Sequence, residues 1–312
     1  MSKMPIIFVF SDKKDRLPEI IAGARALGED VCAFVVGSDE DAQYAASLGA
    51  GAVYAFAPQD GVMLEDYAPS FAAVVAACGK RAMVLLPPSK RGRALAARMG
   101  VRLGAAVANE VTMIEIADAA VGVSRMVFGG LASGSEKITS PVCVLTLTSG
   151  LYEPAVPDAS LQAEVKQGAF VAPAVMPKVV GLTPKQGSSV DLCKAKKVLC
   201  VGRGFAKKED LALAENLASA IGAELGCSRP VAEGEGWMER ERYIGVSGVM
   251  LKADVYFAVG VSGQIQHMVG ANGSKVIIAV SKDKNAPIFN FVDYGIVGDL
   301  YKVLPSLTNM LK

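Results

Sequence analysis

Apolar and polar stretches alternate along this chain with two distinct periods. Ile6–Phe10 (IIFVF) is a short apolar run that stops at Ser11-Asp12, as a buried strand does. Leu17–Leu27 carries apolar residues at helical spacing and stops at Gly28. The alternation continues with a strand over Val31–Val36, a helix over Asp39–Leu48 closed by Gly49, and a strand over Ala52–Phe56. A helix over Met63–Ala77 and a strand over Met83–Leu86 follow. Beyond Pro87-Pro88, KRGRALAARMG predicts a basic-faced helix from Lys90 to Met99, with Gly100 as its stop. Such strand–helix units in series predict a mostly parallel sheet covered on both faces, because parallel strands need crossover helices. The pattern then changes. Val111–Ile116, Val121–Val127 and Val142–Thr148 read as strands joined by turns, an antiparallel extension.

Residues 153–192 contain Pro154, Pro157, Pro173, Pro177 and Pro184, followed by Gly187-Ser188-Ser189. That composition predicts a linker, with a boundary near residue 190. The expected organisation is an N-terminal parallel-sheet α/β domain over 1–190 and a C-terminal open-sheet α/β domain over 191–312. In the second domain the alternation restarts, with strands over Lys197–Val201, after Ala223–Gly226, over Val255–Val259 and over Val276–Val280. Asp210–Ile221 and Asp299–Leu311 have helical spacing. Val255–Val259 is apolar enough to be central. Open α/β sheets bind ligands beyond the carboxyl ends of their strands. Those ends carry Gly202-Arg203-Gly204, Cys227-Ser228-Arg229, Gly260 to His267, and Ser281-Lys282.

Composition narrows the functions. The 312 residues are 52% hydrophobic and 20% charged, which suits two folded domains. The net charge of +1 and the lack of a Lys/Arg block argue against nucleic acid, whose phosphates need clustered cations. No apolar run reaches the roughly 18–20 residues that span a bilayer, and the N-terminal apolar stretch is too short for a signal peptide, so a cytoplasmic protein is expected. The six cysteines form no CxxC pair and read as buried reduced thiols. A single histidine, His267, excludes any mechanism that needs two imidazoles.

The candidate chemistry lies at the strand ends. In Val255–Gly270 a buried strand ends at Gly260, Ser262 can cap a helix starting at Gly263, and Gln266 and His267 project from its opening turns. The free N–H groups of such a helix start suit an anion or an electron-rich ring edge; a capped core helix with a polar rim fits the same residues. Gly202-x-Gly204 after a strand is half of a dinucleotide fingerprint without its third glycine, and Arg203 between them reaches a phosphate or forms a solvated turn. Arg229 stands at a strand end before Pro230, and Ser247 is flanked by residues of a glycine-containing IGVSG turn that lets a ligand approach the backbone. Trp237, the sole tryptophan, lies in a mixed-charge stretch that reads as a surface loop or a subunit contact.

Together these runs resemble a known family. VYFAVGVSGQIQH (255–267), then APIF (286–289), then DYGIVGDL (293–300), with GRG at 202–204 and SR at 228–229, are similar to the signature of electron transfer flavoprotein alpha subunits. VFSD (9–12), LLPPSKRGRALAAR (85–98) and WMERERYIGVSG (237–248) resemble the bacterial FixB type, so the resemblance spans essentially the whole chain. It implies FAD in the second domain, a heterodimer with a beta subunit contacted by the first domain, and electron shuttling in place of substrate turnover. By motif, Arg203, Ser228, Arg229, Ile244, Gly245, Val246, Ser247, Ser262, Gly263, Gln264, Ile265, Gln266, His267, Ser281, Asp299 and Leu300 are implied to line the FAD. Ser247 stands where many members have Thr, Val246 where many have Gln, and Ser281 where Asn is usual. In that setting His267 and the helix start at Gly263 suit the pyrimidine end of the flavin, Arg229 supplies permanent charge, and Ser247 a hydroxyl donor. A nearby cation favours the anionic reduced forms. Implied redox partners are an acyl-CoA dehydrogenase or a related enoyl-CoA reductase, and a quinone- or ferredoxin-linked protein. Two other classes remain open on the residues alone: a self-contained flavin or nicotinamide oxidoreductase, for which one histidine leaves little acid–base capacity, and a nucleotide-binding regulatory module.

Overall fold

The computed structural model describes residues 2–181 and 190–311. The expected linker residues Pro184, Gly187, Ser188 and Ser189 lie outside the described residues. The chain divides into two compact units, Met1–Thr183 and Pro184–Lys312.

Unit 1 begins with β1 (Met4–Val9), α1 (Leu17–Leu27), β2 (Gly28–Val36), α2 (Asp39–Ser47), β3 (Ala52–Phe56), α3 (Ala68–Ala77), β4 (Ala82–Leu86) and α4 (Lys90–Leu103). It continues with β5 (Ala106–Ile116), β6 (Val121–Val127), β7 (Ala132–Ile138), β8 (Val142–Leu147) and β9 (Glu164–Gln167). These strands form one sheet in the order β7-β6-β5-β8-β4-β1-β2-β3-β9. Strand residues alternate between faces, so each central strand feeds two cores. Ile7 and Val9 of β1 join Met83 and Leu85 of β4 on one face, while Ile6 and Phe8 join Val84 and Leu86 on the other.

Two expectations for unit 1 are corrected. Val142–Leu147 is not part of an antiparallel extension; β8 inserts between β4 and β5 and runs parallel to both. The antiparallel pairs are β5 with β6 and β6 with β7. A uniformly apolar strand reports burial on both faces and carries no record of its direction. The second correction concerns α4, which runs through Gly100 and stops at Gly104, whose φ of 58° is left-handed. Gly100 instead serves packing, since a Cβ there would sit 2.2 Å from Val107 Cγ2.

Unit 2 contains β10 (Lys197–Val201), α5 (Leu211–Ile221), β11 (Glu224–Cys227), β12 (Val255–Val259), α6 (Ile265–Ala271), β13 (Val276–Ser281), β14 (Tyr294–Val297) and α7 (Leu300–Leu311). All five strands are parallel, in the order β11-β10-β12-β13-β14. Val198 and Cys200 of β10 pack with Tyr256 and Ala258 of β12 on one face; Leu199, Val201, Phe257 and Val259 pack on the other. The chain goes outward from β10 to β11, then crosses back to β12. The strand order therefore reverses between β10 and β12, and the loops leaving those two strands diverge into a crevice.

Candidate functional site

The floor of that crevice is backbone. The Gly202 N–H donates to the Val259 carbonyl at 2.8 Å, the Gly204 N–H to the Gly260 carbonyl at 2.9 Å, and the Gly260 N–H to the Val280 carbonyl at 2.9 Å. A Cβ on Gly202 would lie 2.2 Å from the Gly260 oxygen, and one on Gly204 would lie 2.7 Å from the Gly260 Cα. Gly260 itself has φ +64°. The GRG turn lacks the third glycine of a dinucleotide fingerprint, but Gly260 of the neighbouring strand supplies the close approach from across the crevice.

Above this floor opens a cavity of about 1150 Å³. That is slightly above the roughly 300–1,000 Å³ of ordinary small-molecule sites. Of the residues singled out in the sequence, Arg203, Ser228, Arg229, Val246, Ser262, Gln264, Gln266, His267, Ser281, Asp299 and Leu300 form its wall. They come from the ends of β10, β11, β12 and β13, the start of α6 and the start of α7, with Val246 from the loop between β11 and β12. The wall does not include Ile244, Gly245, Ser247, Gly263 or Ile265. Ile244 is fully buried, its N–H bonded to the Cys227 carbonyl. Gly245 meets α6 backbone to backbone: a Cβ on Gly245 would lie 2.9 Å from the Gln266 carbonyl oxygen, and one on Gly270 would lie 2.4 Å from the Gly245 nitrogen. Ser247 Oγ meets the Tyr243 hydroxyl at 3.3 Å, and it is Tyr243 that reaches the wall.

The helix start differs from expectation. Gly263 turns the chain at φ +81°, and a Cβ there would lie 2.3 Å from the Ile288 backbone. The helix consequently begins at Ile265, with Gln264 as its flanking residue and no side-chain cap. Ser262 caps nothing; its carbonyl accepts the Ile288 N–H. A serine three residues early looks like a cap in sequence, and only the left-handed glycine between them removes that role.

The wall also holds Glu233, Tyr243, Asp283 and Tyr301, which sequence reasoning did not assign. Tyr301 accepts the Ala206 N–H at 2.8 Å and donates to Asp210 at 2.6 Å, tying the loop after β10 to the start of α7. Neither residue carries a sequence signal, because their role depends on two loops meeting. Trp237 is half-buried and packs against the core that includes Val231 and Tyr243, so it is more than a surface loop residue.

Electrostatics mark three groups. His267 is buried, and desolvation pushes its pKa down to about 4, offset in part by the Ile244 carbonyl. The ring is therefore neutral near pH 7 in the free chain and acts as a hydrogen-bonding group, not a cation. Its Nε2 lies 2.6 Å from the Tyr256 hydroxyl, while its Nδ1 and the nearby Ser228 Oγ are buried with no hydrogen-bond partner. Arg229 Nε donates to Glu233 Oε2 at 2.6 Å, and Glu233 also meets Arg240 at 3.2 Å. The guanidinium is exposed at the cavity wall, with its pKa raised by that carboxylate. Cys200 and Cys227 are buried free thiols whose pKa burial pushes up, Cys227 to about 12. Among the described residues no cluster of three His, Cys, Asp or Glu side chains could hold a metal ion.

Residues 191–272 match the electron transfer flavoprotein FAD-binding domain, and residues 18–172 match the electron transfer flavoprotein domain. Protein FixB of Escherichia coli O127:H6 is 50% identical over 312 residues, covering 100% of this chain and 99% of its own. Protein FixB of Shigella flexneri shows the same identity and coverage, and that of Salmonella paratyphi A is 50% identical over 313 residues.

Proposed function

This chain belongs to the electron transfer flavoprotein alpha-subunit family, of the FixB type, with FAD as its cofactor; on that premise we propose that the unit 2 cavity holds the FAD and that the chain, paired with a beta subunit, carries electrons between redox proteins. One observation carries the reading. The glycine-built crevice at the strand-order reversal opens into a dinucleotide-sized cavity, and two buried polar atoms with no partner, Ser228 Oγ and His267 Nδ1, belong to residues of its wall. A buried polar group left unpaired costs stability, so such atoms suit a ligand that completes them.

Each part of the wall has a task. The backbone at Gly202, Gly204 and Gly260 lets a pyrophosphate come close without side-chain obstruction. Arg203 supplies positive charge at that end. Ser228 and His267 offer neutral hydrogen bonds, and Arg229 a charge that no working pH removes. Val246 and Leu300 give the cavity apolar surface that excludes water. The bound flavin accepts and returns electrons; the protein contributes position and field. A charge such as Arg229 raises the flavin's affinity for each added electron, and its exposed pair with Glu233 moderates that effect.

The family implies a beta-subunit partner. We assign unit 1 to that contact, and an acyl-CoA dehydrogenase or related reductase, with a quinone- or ferredoxin-linked protein, to the two ends of the electron path. No described helix is long and apolar enough to cross a membrane. Co-expression with the beta subunit, followed by counting flavins per heterodimer and reduction by candidate donors, tests the reading. A colourless heterodimer would favour a nucleotide-binding regulatory module, and substrate turnover without a partner protein would favour a self-contained oxidoreductase.

A further inference from the structure

His267 is held from behind. Tyr256 is the second residue of β12 and is wholly buried; its hydroxyl stands 2.6 Å from Nε2 of His267, in the first turn of α6. Cys200 Sγ on the adjacent strand is 3.9 Å from the same nitrogen. The other nitrogen, Nδ1, has no hydrogen-bond partner, although the ring forms part of the cavity wall. A neutral imidazole has one donor nitrogen and one acceptor nitrogen, and the partner of one decides the role of the other.

We propose that Tyr256 is a positioning residue of the flavin site: its hydroxyl donates to Nε2 of His267, which places the ring proton on Nδ1 and makes Nδ1–H the donor available to the cofactor. This rests on the FAD reading above. Two arrangements compete. In the first, the phenol donates to Nε2 and Nδ1 carries the proton. In the second, Nε2–H donates to the phenol oxygen, and the phenol proton must turn to Cys200. Sulfur is a weak acceptor, so the second arrangement replaces a short O–H···N bond with a poor one in a dry environment. It would also leave Nδ1 as a bare lone pair, with nothing to offer an electron-rich ring edge. Burial keeps both the phenol and the thiol protonated, so neither competes for the ring proton as an anion.

The chain has one histidine, which makes the proton directly readable. The alpha chain is labelled with ¹⁵N-histidine, combined with unlabelled beta subunit, and studied by long-range ¹H–¹⁵N correlation with and without FAD. The expected spectrum shows an unprotonated Nε2 and a protonated Nδ1. In Tyr256→Phe the tautomer moves toward protonated Nε2, the flavin midpoint potential falls, and FAD binding weakens by up to about tenfold, the range of one neutral hydrogen bond. In Cys200→Ala the wild-type tautomer is kept. A protonated Nε2 in the wild type overturns the proposal and needs no variant to fold. So does a Tyr256→Phe chain with unchanged tautomer and FAD affinity, or a Cys200→Ala chain whose tautomer inverts. A wild-type heterodimer that shows Nδ1–H but takes up no FAD defeats the cofactor reading, and the positioning role with it, and is distinct from a wrong tautomer.

Discussion

Replacing Gly202 by Ala tests whether the crevice depends on backbone meeting backbone. The added Cβ would lie 2.2 Å from the Gly260 oxygen, 2.5 Å from its carbonyl carbon and 2.6 Å from the Val261 nitrogen. The shortfall from ordinary contact is roughly 1.2 Å, and all three atoms are backbone, so no rotamer change relieves it. The turns after β10 and β12 must separate. That movement stretches the Gly202 N–H to Val259 and Gly204 N–H to Gly260 bonds, now 2.8 and 2.9 Å, beyond hydrogen-bond range. Overpacking costs about 1–3 kcal/mol and each lost bond about 1 kcal/mol, giving a destabilisation of ~3–5 kcal/mol. A domain of this size should melt ~10 °C lower or more. The cofactor should suffer as well, because the same two turns form its floor, with FAD dissociation rising by more than about tenfold. Differential scanning calorimetry and a fluorescence titration with FAD measure both quantities. Gly222→Ala is the control: its φ is +64° and nothing lies within 4 Å, so only backbone strain of about 1–2 kcal/mol applies. A Gly202→Ala chain that melts like the control and binds FAD like the wild type would refute the reasoning.

Three further outcomes are expected. The folded pKa of His267 is about 4 against an ordinary 6.5, so the unfolded state binds the extra proton between those values and stability falls as the pH drops through that window, by about 3 kcal/mol in all; urea midpoints of wild type and His267→Gln at pH 7 and 5 should show a weaker drop in the variant. Arg229→Ala should lower the potential of bound FAD while leaving the melting temperature almost unchanged, since its pair with Glu233 is exposed; Arg229→Lys should lower the potential less, and a lower melting point at unchanged potential would return Arg229 to a loop-holding role. Gly100→Ala should destabilise unit 1 by about 1–3 kcal/mol, because the new methyl meets the stiff Val107 side chain, and equal stability in chemical denaturation would restore Gly100 as a mere punctuation residue.

The elements of this protein were legible in the sequence because burial on both faces writes continuous apolar runs, and glycine or proline ends them. Leu17–Leu27, Ala52–Phe56 and Val255–Val259 have the same limits in the pattern and in the structure. Strand direction was not legible. Val142–Leu147 is apolar but for Thr146, as a central strand can be, and only its long-range pairing with β4 and β5 makes it parallel. The role of a glycine was equally hidden: Gly100 and Gly104 look alike in sequence, yet one admits Val107 and the other turns left-handed.

For the site, the sequence by itself determined that polar and glycine residues gather at the strand ends of unit 2, and its motifs matched one family. It could not determine which of them share a cavity, because residues 203, 229, 267 and 299 are brought together by the crossover between β10 and β12. It could not find Tyr301, whose importance comes from a partner 91 residues away. Nor could it fix the charge of His267. A lone histidine near a helix start reads as a cation in sequence; burial behind Tyr256 and Cys200 makes it neutral. Side-chain period is a local property and survives in the sequence, whereas desolvation and proton position depend on which distant atoms the fold packs around a group.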